Sequence, residues 1–251
     1  MDVNGYLSIA IEAAKEAGDI LRKSFNNDSI KINSNIGKDI KLQSDVDSEK
    51  IIIQNLQSKT NFSILSEEFG FFAGNNSNGY QWIIDPLDGS LNYSRGIDVF
   101  CISIGLWQER KPILGIVYDF LHDNLYTGIV GKGASKNGLP ISVSEIDVKE
   151  KAIICTGFPV YRSFETESLL PFLMKLTSYK KVRLLGSAAL SLSYVAQGST
   201  DVYTEEKIAF WDVAAGIALV LAAGGECNYH FYKDNPNFMN VFASNKNIHE
   251  E

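Results

Sequence analysis

Trp82-Ile83-Ile84-Asp85-Pro86-Leu87-Asp88-Gly89-Ser90 is the stretch that decides the fold. The apolar run from Gln81 to Ile84 reads as a buried strand that stops at Asp85-Pro86. It delivers two aspartates, three residues apart, at its C-terminal end. Pro86 fixes φ between them, and Gly89 lets the backbone turn sharply. Asp-Pro and Asp-Gly are also favoured turn dipeptides, so taken alone the stretch could be an ordinary turn.

Three other acidic positions change that balance. Glu67 and Glu68 follow a short strand, Phe62 to Leu65. Asp45 and Asp47 open a helix expected from Asp45 to Gln57, just after Ser44. Asp212 opens a long apolar helix, Trp211 to Ala223. Singly, an acid at a helix start is most often a cap or a dipole partner, and a Glu pair is usually solvated surface. Together they lie where strands end and helices begin, which is where α/β proteins place ligand sites. All are oxygen ligands, with no His or Cys grouped among them. That chemistry suits Mg²⁺, which prefers oxygen and commonly bridges to substrate phosphate. The Leu87 main-chain carbonyl could complete a coordination sphere.

The rest of the chain falls into two grammars. An amphipathic helix is expected from about Val3 to Phe25, with Leu7, Ile11, Ala14, Gly18 and Leu21 at helical spacing. Strands Val99 to Leu106, Ile113 to Asp119 and Leu125 to Val130 are separated by Lys111-Pro112 and His122-Asp123-Asn124, which read as hairpin turns. After Asn137-Gly138-Leu139-Pro140, strands and helices alternate. The strands are Ala152 to Cys155, Val182 to Leu185 and Asp201 to Tyr203; the helices are Glu165 to Leu176, Ser187 to Ala196 and Trp211 to Ala223. An α+β lobe over residues 1–140 and an α/β lobe over 141–251 are expected.

The chain has 251 residues, 45% hydrophobic and 21% charged, which excludes disordered and collagen-like classes. Its net charge of −7 argues against a general nucleic-acid or anionic-membrane binder. Three Cys without a Cys-x-x-Cys pair and three scattered His argue against a disulfide framework or a zinc site. No signal peptide or membrane-spanning run is read, so a reduced, cytoplasmic protein is expected.

Phosphate needs donors as well as metal. Gly89-Ser90 offers backbone N–H groups just past the second aspartate, and Gly186-Ser187-Ala188 opens another helix. Gly131-Lys132-Gly133 lacks the spacing of a phosphate loop and reads as a hairpin connection.

These residues resemble the inositol monophosphatase family of Mg²⁺-dependent, lithium-sensitive phosphatases. Trp82 to Ser90, followed by Asn92 and Tyr93, is similar to its first motif. Trp211-Asp212-Val213-Ala214-Ala215-Gly216, with Ala223-Gly224-Gly225 further on, is similar to its second. Ser66-Glu67-Glu68, Ser44-Asp45 with Glu49, and Ala243-Ser244-Asn245 resemble further family segments. The resemblance covers nearly the whole chain and implies a layered αβαβα sandwich. It implies two or three Mg²⁺ per site. Glu67, Asp85 and the Leu87 carbonyl would hold one ion, and Asp85, Asp88 and Asp212 a second. Ser44 and Asp45 would activate the attacking water. Gly89 and Ser90 would bind phosphate. Gly186, Ser187, Ala188 and Glu205 would contact the alcohol part of a small phosphorylated substrate, in a homodimer. Ser90 stands where Thr is commoner, Leu42 where the family usually has Thr, and Ala209 where a polar residue is common. The last departure weakens inositol as the particular substrate. The alternatives are a 3′(2′),5′-bisphosphate nucleotidase, a fructose-1,6-bisphosphatase, or an interaction protein that keeps the fold for RNA or RNA polymerase.

Overall fold

The computed structural model describes residues 2–26, 31–36, 39–75, 78–158 and 165–250. Helix α1 (Val3–Asn26) packs beside α2 (Gln43–Lys59), and a hairpin of β1 (Ile32–Ile36) and β2 (Asp39–Leu42) leads into α2. Behind these helices lies an eight-stranded sheet. It is built from β3 (Ser63–Ser66), β4 (Gly70–Phe72), β5 (Tyr80–Asp88), β6 (Cys101–Gln108), β7 (Lys111–Asp119), β8 (Asn124–Ile129), β9 (Gly133–Lys136) and β10 (Leu139–Ile141). The spatial order is β10-β9-β8-β7-β6-β5-β3-β4, with only β3 and β5 running parallel. A short helix α3 (Ser90–Ser94) follows β5.

The C-terminal part adds β11 (Ile153–Thr156), α4 (Thr166–Thr177), β12 (Lys181–Arg183), α5 (Ala188–Ala196), β13 (Val202–Ala209), α6 (Phe210–Ala222), β14 (Glu226–Phe231) and β15 (Phe238–Ser244). Its five strands form a second sheet in the order β12-β11-β13-β15-β14. β11 runs parallel to β12 and β13, while β15 runs antiparallel to β13 and β14.

Three buried clusters define the layers. Ala14, Leu21, Ile52 and Leu56 of the first helices meet Trp82, Ile84 and Ile104 of the large sheet. On the opposite face of that sheet, Ile83, Trp107 and Val117 meet Leu192 and Leu219 of α5 and α6, which in turn meet Tyr203 and Val241. Phe172 and Leu176 of α4 cover Ile154, Val202 and Phe242 on the far side of the small sheet. Along β5 the period-2 alternation sends Trp82 and Ile84 to one cluster and Ile83 to the other. The result is the αβαβα sandwich, and its middle cluster draws on residues from both sides of residue 140.

Close packing seats α6 on the large sheet. A Cβ on Gly115 would lie 2.1 Å from the Ala215 carbonyl oxygen, and one on Gly105 would lie 3.1 Å from the Ala214 carbonyl carbon. Trp107 Nε1 donates to the Ala214 carbonyl at 3.1 Å, and Ser103 Oγ to the Trp211 carbonyl at 3.4 Å. These contacts fix where α6 begins, and so where Asp212 stands.

Two local expectations are corrected. β5 does not stop at Asp85-Pro86 but continues to Asp88. A register break takes up Pro86, since Asp85 pairs with Ser103 and Asp88 with Cys101. Proline has no N–H for the ladder, so a bulge accommodates it. The β6–β7 turn is not Lys111-Pro112 but Glu109-Arg110, with φ of 49° and 64°. Gln108 pairs with Lys111 across a two-residue loop, which demands left-handed residues at both tips.

Candidate active site

β3 and β5 are parallel neighbours with Ser66 paired to Ile84, so their C-terminal ends lie side by side. Glu67 follows β3, and Asp85 lies in β5 one residue beyond that pairing, just before the bulge. Asp212 joins them from the first turn of α6. One carboxylate oxygen from each of Glu67, Asp85 and Asp212 lies within 4.8 Å of the other two. Asp85 is 1% exposed. Burial raises its pKa well above the usual carboxylate range, and Glu67, Asp88 and Asp212 raise it further. Its Oδ1 accepts from Leu87 N at 2.9 Å, which orients the side chain. A close group of three acids, with Asp85 buried and Glu67 and Asp212 half-buried, is poorly stable on its own and suits a hard divalent cation.

Glu49 holds the turn that presents Glu67, a part not read from the sequence. It is buried, and its two carboxylate oxygens accept from Glu68 N at 3.0 Å and Phe69 N at 2.9 Å. Lys41 Nζ holds Glu68 at 3.0 Å. Glu49 lies one helical turn beyond Asp45 on the same face of α2; that spacing was the available signal. Ser48, on the same helix, donates to the Pro86 carbonyl at 3.1 Å and docks α2 against the motif. Asp45 is buried, and burial pushes its carboxyl up to about 7, partly offset by the Leu42 N–H at 3.0 Å. Among the described residues, Ser44 Oγ and Asp45 Oδ1 are buried without a hydrogen-bond partner. An orphaned carboxylate oxygen of this kind fits a role in holding water or metal.

Asp88 is turned towards α5 and stands outside the close triad. Ser187 Oγ donates to its Oδ2 at 2.6 Å, Ala189 N to the same oxygen at 2.7 Å, and Ala188 N to its Oδ1 at 3.4 Å. Burial raises its carboxyl to about 6, and these donors limit the rise. Ser187 also caps α5, accepting from Leu190 N at 3.2 Å. Gly89 has φ 89°, and a Cβ there would lie 2.7 Å from the Val99 carbonyl oxygen, so the turn into α3 requires glycine. Ser90 opens α3 and its Oγ donates to the Leu87 carbonyl at 2.8 Å. Asn92 Nδ2 ties this turn to the Leu185 carbonyl at 2.8 Å, before α5.

Asp88, Gly186, Ser187, Ala188, Glu205 and Asp212 line one cavity of about 250 Å³. A register break in β13 between Glu205 and Ile208, with Lys207 at φ 55°, aims Glu205 into it. Burial pushes the Glu205 carboxyl up to about 7, and Tyr203 Oη donates to it at 2.8 Å. The structure therefore brings the alcohol-side candidates together with Asp88 and Asp212, and places Glu67 and Asp85 behind them. Tyr203 was not singled out from the sequence, where it is only the end of a short strand.

A model of the inositol monophosphatase family matches residues 2–250. The chain belongs to the inositol monophosphatase family. It is 36% identical over 232 residues to inositol monophosphatase 3 of Solanum lycopersicum, covering 89% of this chain and 85% of that one. It is 34% identical over 230 residues to Nus factor SuhB of Pasteurella multocida, covering 89% and 84%. The extragenic suppressor protein suhB of Bartonella henselae superposes with a TM-score of 0.86 at 31% identity, covering 97% and 95%. Membership of the inositol monophosphatase family supports a phosphatase. No helix among the described residues is long and apolar enough to cross a membrane.

Proposed function

We propose that the protein is a Mg²⁺-dependent phosphomonoesterase acting on inositol monophosphate or a similar small polyol or sugar phosphate. One observation carries this: Asp212 belongs both to the Glu67–Asp85–Asp212 triad and to the lining of a cavity that also holds Asp88 and Glu205. Glu67, Asp85 and Asp212 would hold the metal, with the Leu87 carbonyl and Asp88 as further ligands. Bound there, Mg²⁺ would stabilise charge on the phosphate oxygens and lower the pKa of a coordinated water. Ser44 and Asp45 would orient that water, since both carry buried oxygens without partners among the described residues. The Gly89 and Ser90 amides would hold the phosphate. Glu205, fixed by Tyr203, would accept from a substrate hydroxyl in the cavity. No His base is required, which fits a chain whose three His are scattered.

A second reading, an interaction protein for RNA or RNA polymerase, has in its favour the name Nus factor SuhB on a relative at 34% identity. The net charge of −7 and the acid triad weigh against RNA as the main ligand. A substrate panel separates the readings: inositol 1-phosphate, fructose 1,6-bisphosphate, 3′-phosphoadenosine 5′-phosphate and β-glycerophosphate, with Mg²⁺ and with EDTA, and with and without Li⁺. Fast Mg²⁺-dependent release from inositol 1-phosphate is expected. Preference for either bisphosphate would move the substrate class, and no release from any would leave the interaction reading.

A further inference from the structure

A second cavity, about 430 Å³, lies on the other side of the acid triad. The first turn of α6 stands between the two, because Trp211 lines this cavity and Asp212 lines the first. Glu67 forms part of its wall. Its walls carry the aromatic rings of Phe71, Phe210, Trp211 and Phe231, and Arg110 is its cation.

Three features show a prepared surface. Phe71 is 62% exposed on β4, an edge strand, where burial does not explain a large aromatic ring. Phe210 and Phe231 meet edge to face at 5.0 Å, giving a rigid floor. Arg110 is stacked 4.7 Å over Phe231, and among the described residues no carboxylate forms an ion pair with it. Arg110 sits at the tip of the β6–β7 hairpin, where the two-residue loop fixes its backbone. It and Glu109 take positive φ without being glycine. The tip is held by Glu109 N on the Gly79 carbonyl at 3.2 Å and by Tyr229 Oη on the Arg110 carbonyl at 3.4 Å. The Tyr229 to Asn237 stretch, which has no role in the first cavity, supplies Phe231, Pro236 and Asn237 here.

We propose that this cavity is a second ligand subsite that takes the planar aromatic ring of an anionic ligand. The ring lies against Phe71 and Trp211, and Arg110 meets the anion. Aromatic faces reward a flat ring, and an unpaired guanidinium rewards an anion in a chain that otherwise repels it. The subsite stands on the cavity's own geometry and not on the phosphatase reading.

Calorimetric titration of the full chain in Mg²⁺ with phenylphosphonate and with methylphosphonate tests it, since neither C–P bond is hydrolysed. Phenylphosphonate is expected to bind about tenfold more tightly than methylphosphonate. Phe71→Ala should erase most of that preference, and Arg110→Gln should weaken phenylphosphonate about fivefold. Both residues are exposed, so neither change threatens folding. Equal affinities for the two ligands, or a preference unchanged in both variants, would overturn the proposal. So would a preference lost in Glu205→Gln but kept in Phe71→Ala, which would place the ring in the first cavity. Phenylphosphonate binding that persists in EDTA and responds to both variants would support the subsite even if the phosphatase reading fell.

Discussion

Replacing Asp85 by Asn should stabilise the metal-free protein and weaken the metal-loaded one. The shape is conserved, and the Asn carbonyl oxygen keeps the bond from Leu87 N. What is lost is one negative charge in a triad whose oxygens lie within 4.8 Å. At an effective dielectric of about 20, two charges at that spacing repel by roughly 3 kcal/mol. The raised pKa of Asp85 means the triad relieves part of this repulsion by holding protons. A net gain of about 1–2 kcal/mol is therefore expected in EDTA. At about 2–4 °C per kcal/mol for a chain of this size, the midpoint should rise by roughly 2–8 °C. Mg²⁺ at about 100 times its Kd should add roughly 2.7 kcal/mol to the native chain, or about 5–10 °C. The variant should show less than about a quarter of that rise. Thermal melts of both proteins in EDTA and in Mg²⁺ should therefore reverse their order. A variant that melts below the native protein in EDTA, or that keeps the full Mg²⁺ rise, would refute the electrostatic account of the triad.

Three further outcomes follow from the packing and the buried acids. Gly115→Ala should cost about 2–4 kcal/mol by denaturant unfolding, because its Cβ would lie 2.1 Å from the Ala215 carbonyl oxygen; a cost under about 0.5 kcal/mol would show that α6 can shift freely. Glu49→Gln should weaken Mg²⁺ binding about tenfold by calorimetry, since one of its two backbone acceptors becomes a donor; unchanged affinity would remove Glu49 from the support of Glu67. The carboxyl of Glu205 rises from 4.5 to about 7 on folding, so the folded state holds that proton more tightly than the unfolded chain. Its stabilising contribution is complete below pH 4.5 and is lost as the pH rises through about 7. In EDTA, Glu205→Gln should flatten the fall in stability over that window by up to about 1.4 kcal/mol per pH unit, and an unchanged slope would contradict the assignment.

The parts of the fold written in strong periodicity were legible in the sequence. Helix α1, the antiparallel strands and the long apolar α6 each carry their own pattern, and the two acidic motifs sit where those elements end. The parts that tertiary contacts decide were not legible. β1 and β2 form in a polar segment, and β4, β9 and β10 are three or four residues long, too short for a periodic signal. β13 runs to Ala209 because β15 supplies its partner, and only that pairing reveals the bulge that aims Glu205. The burial of Glu49 and the turn of Asp88 towards α5 depend on residues 19 to 101 positions away in sequence. A single chain position carries no trace of such partners. Glu67, Asp85, Asp88 and Asp212 were legible as acids near element ends, but the grouping of Glu67 with Asp85 and Asp212 apart from Asp88 was not.

The central claim is that Glu67, Asp85 and Asp212 hold the divalent ion on which phosphate release depends. Steady-state phosphate release from inositol 1-phosphate, measured side by side for the native chain, Asp85→Asn and Asp212→Asn across a Mg²⁺ titration, tests it most directly. The account predicts Mg²⁺-dependent turnover in the native chain and a loss of at least about a hundredfold in each folded variant, the scale of removing one strong electrostatic contributor. Turnover in the variants equal to the native chain, or native turnover that persists in EDTA, would contradict it.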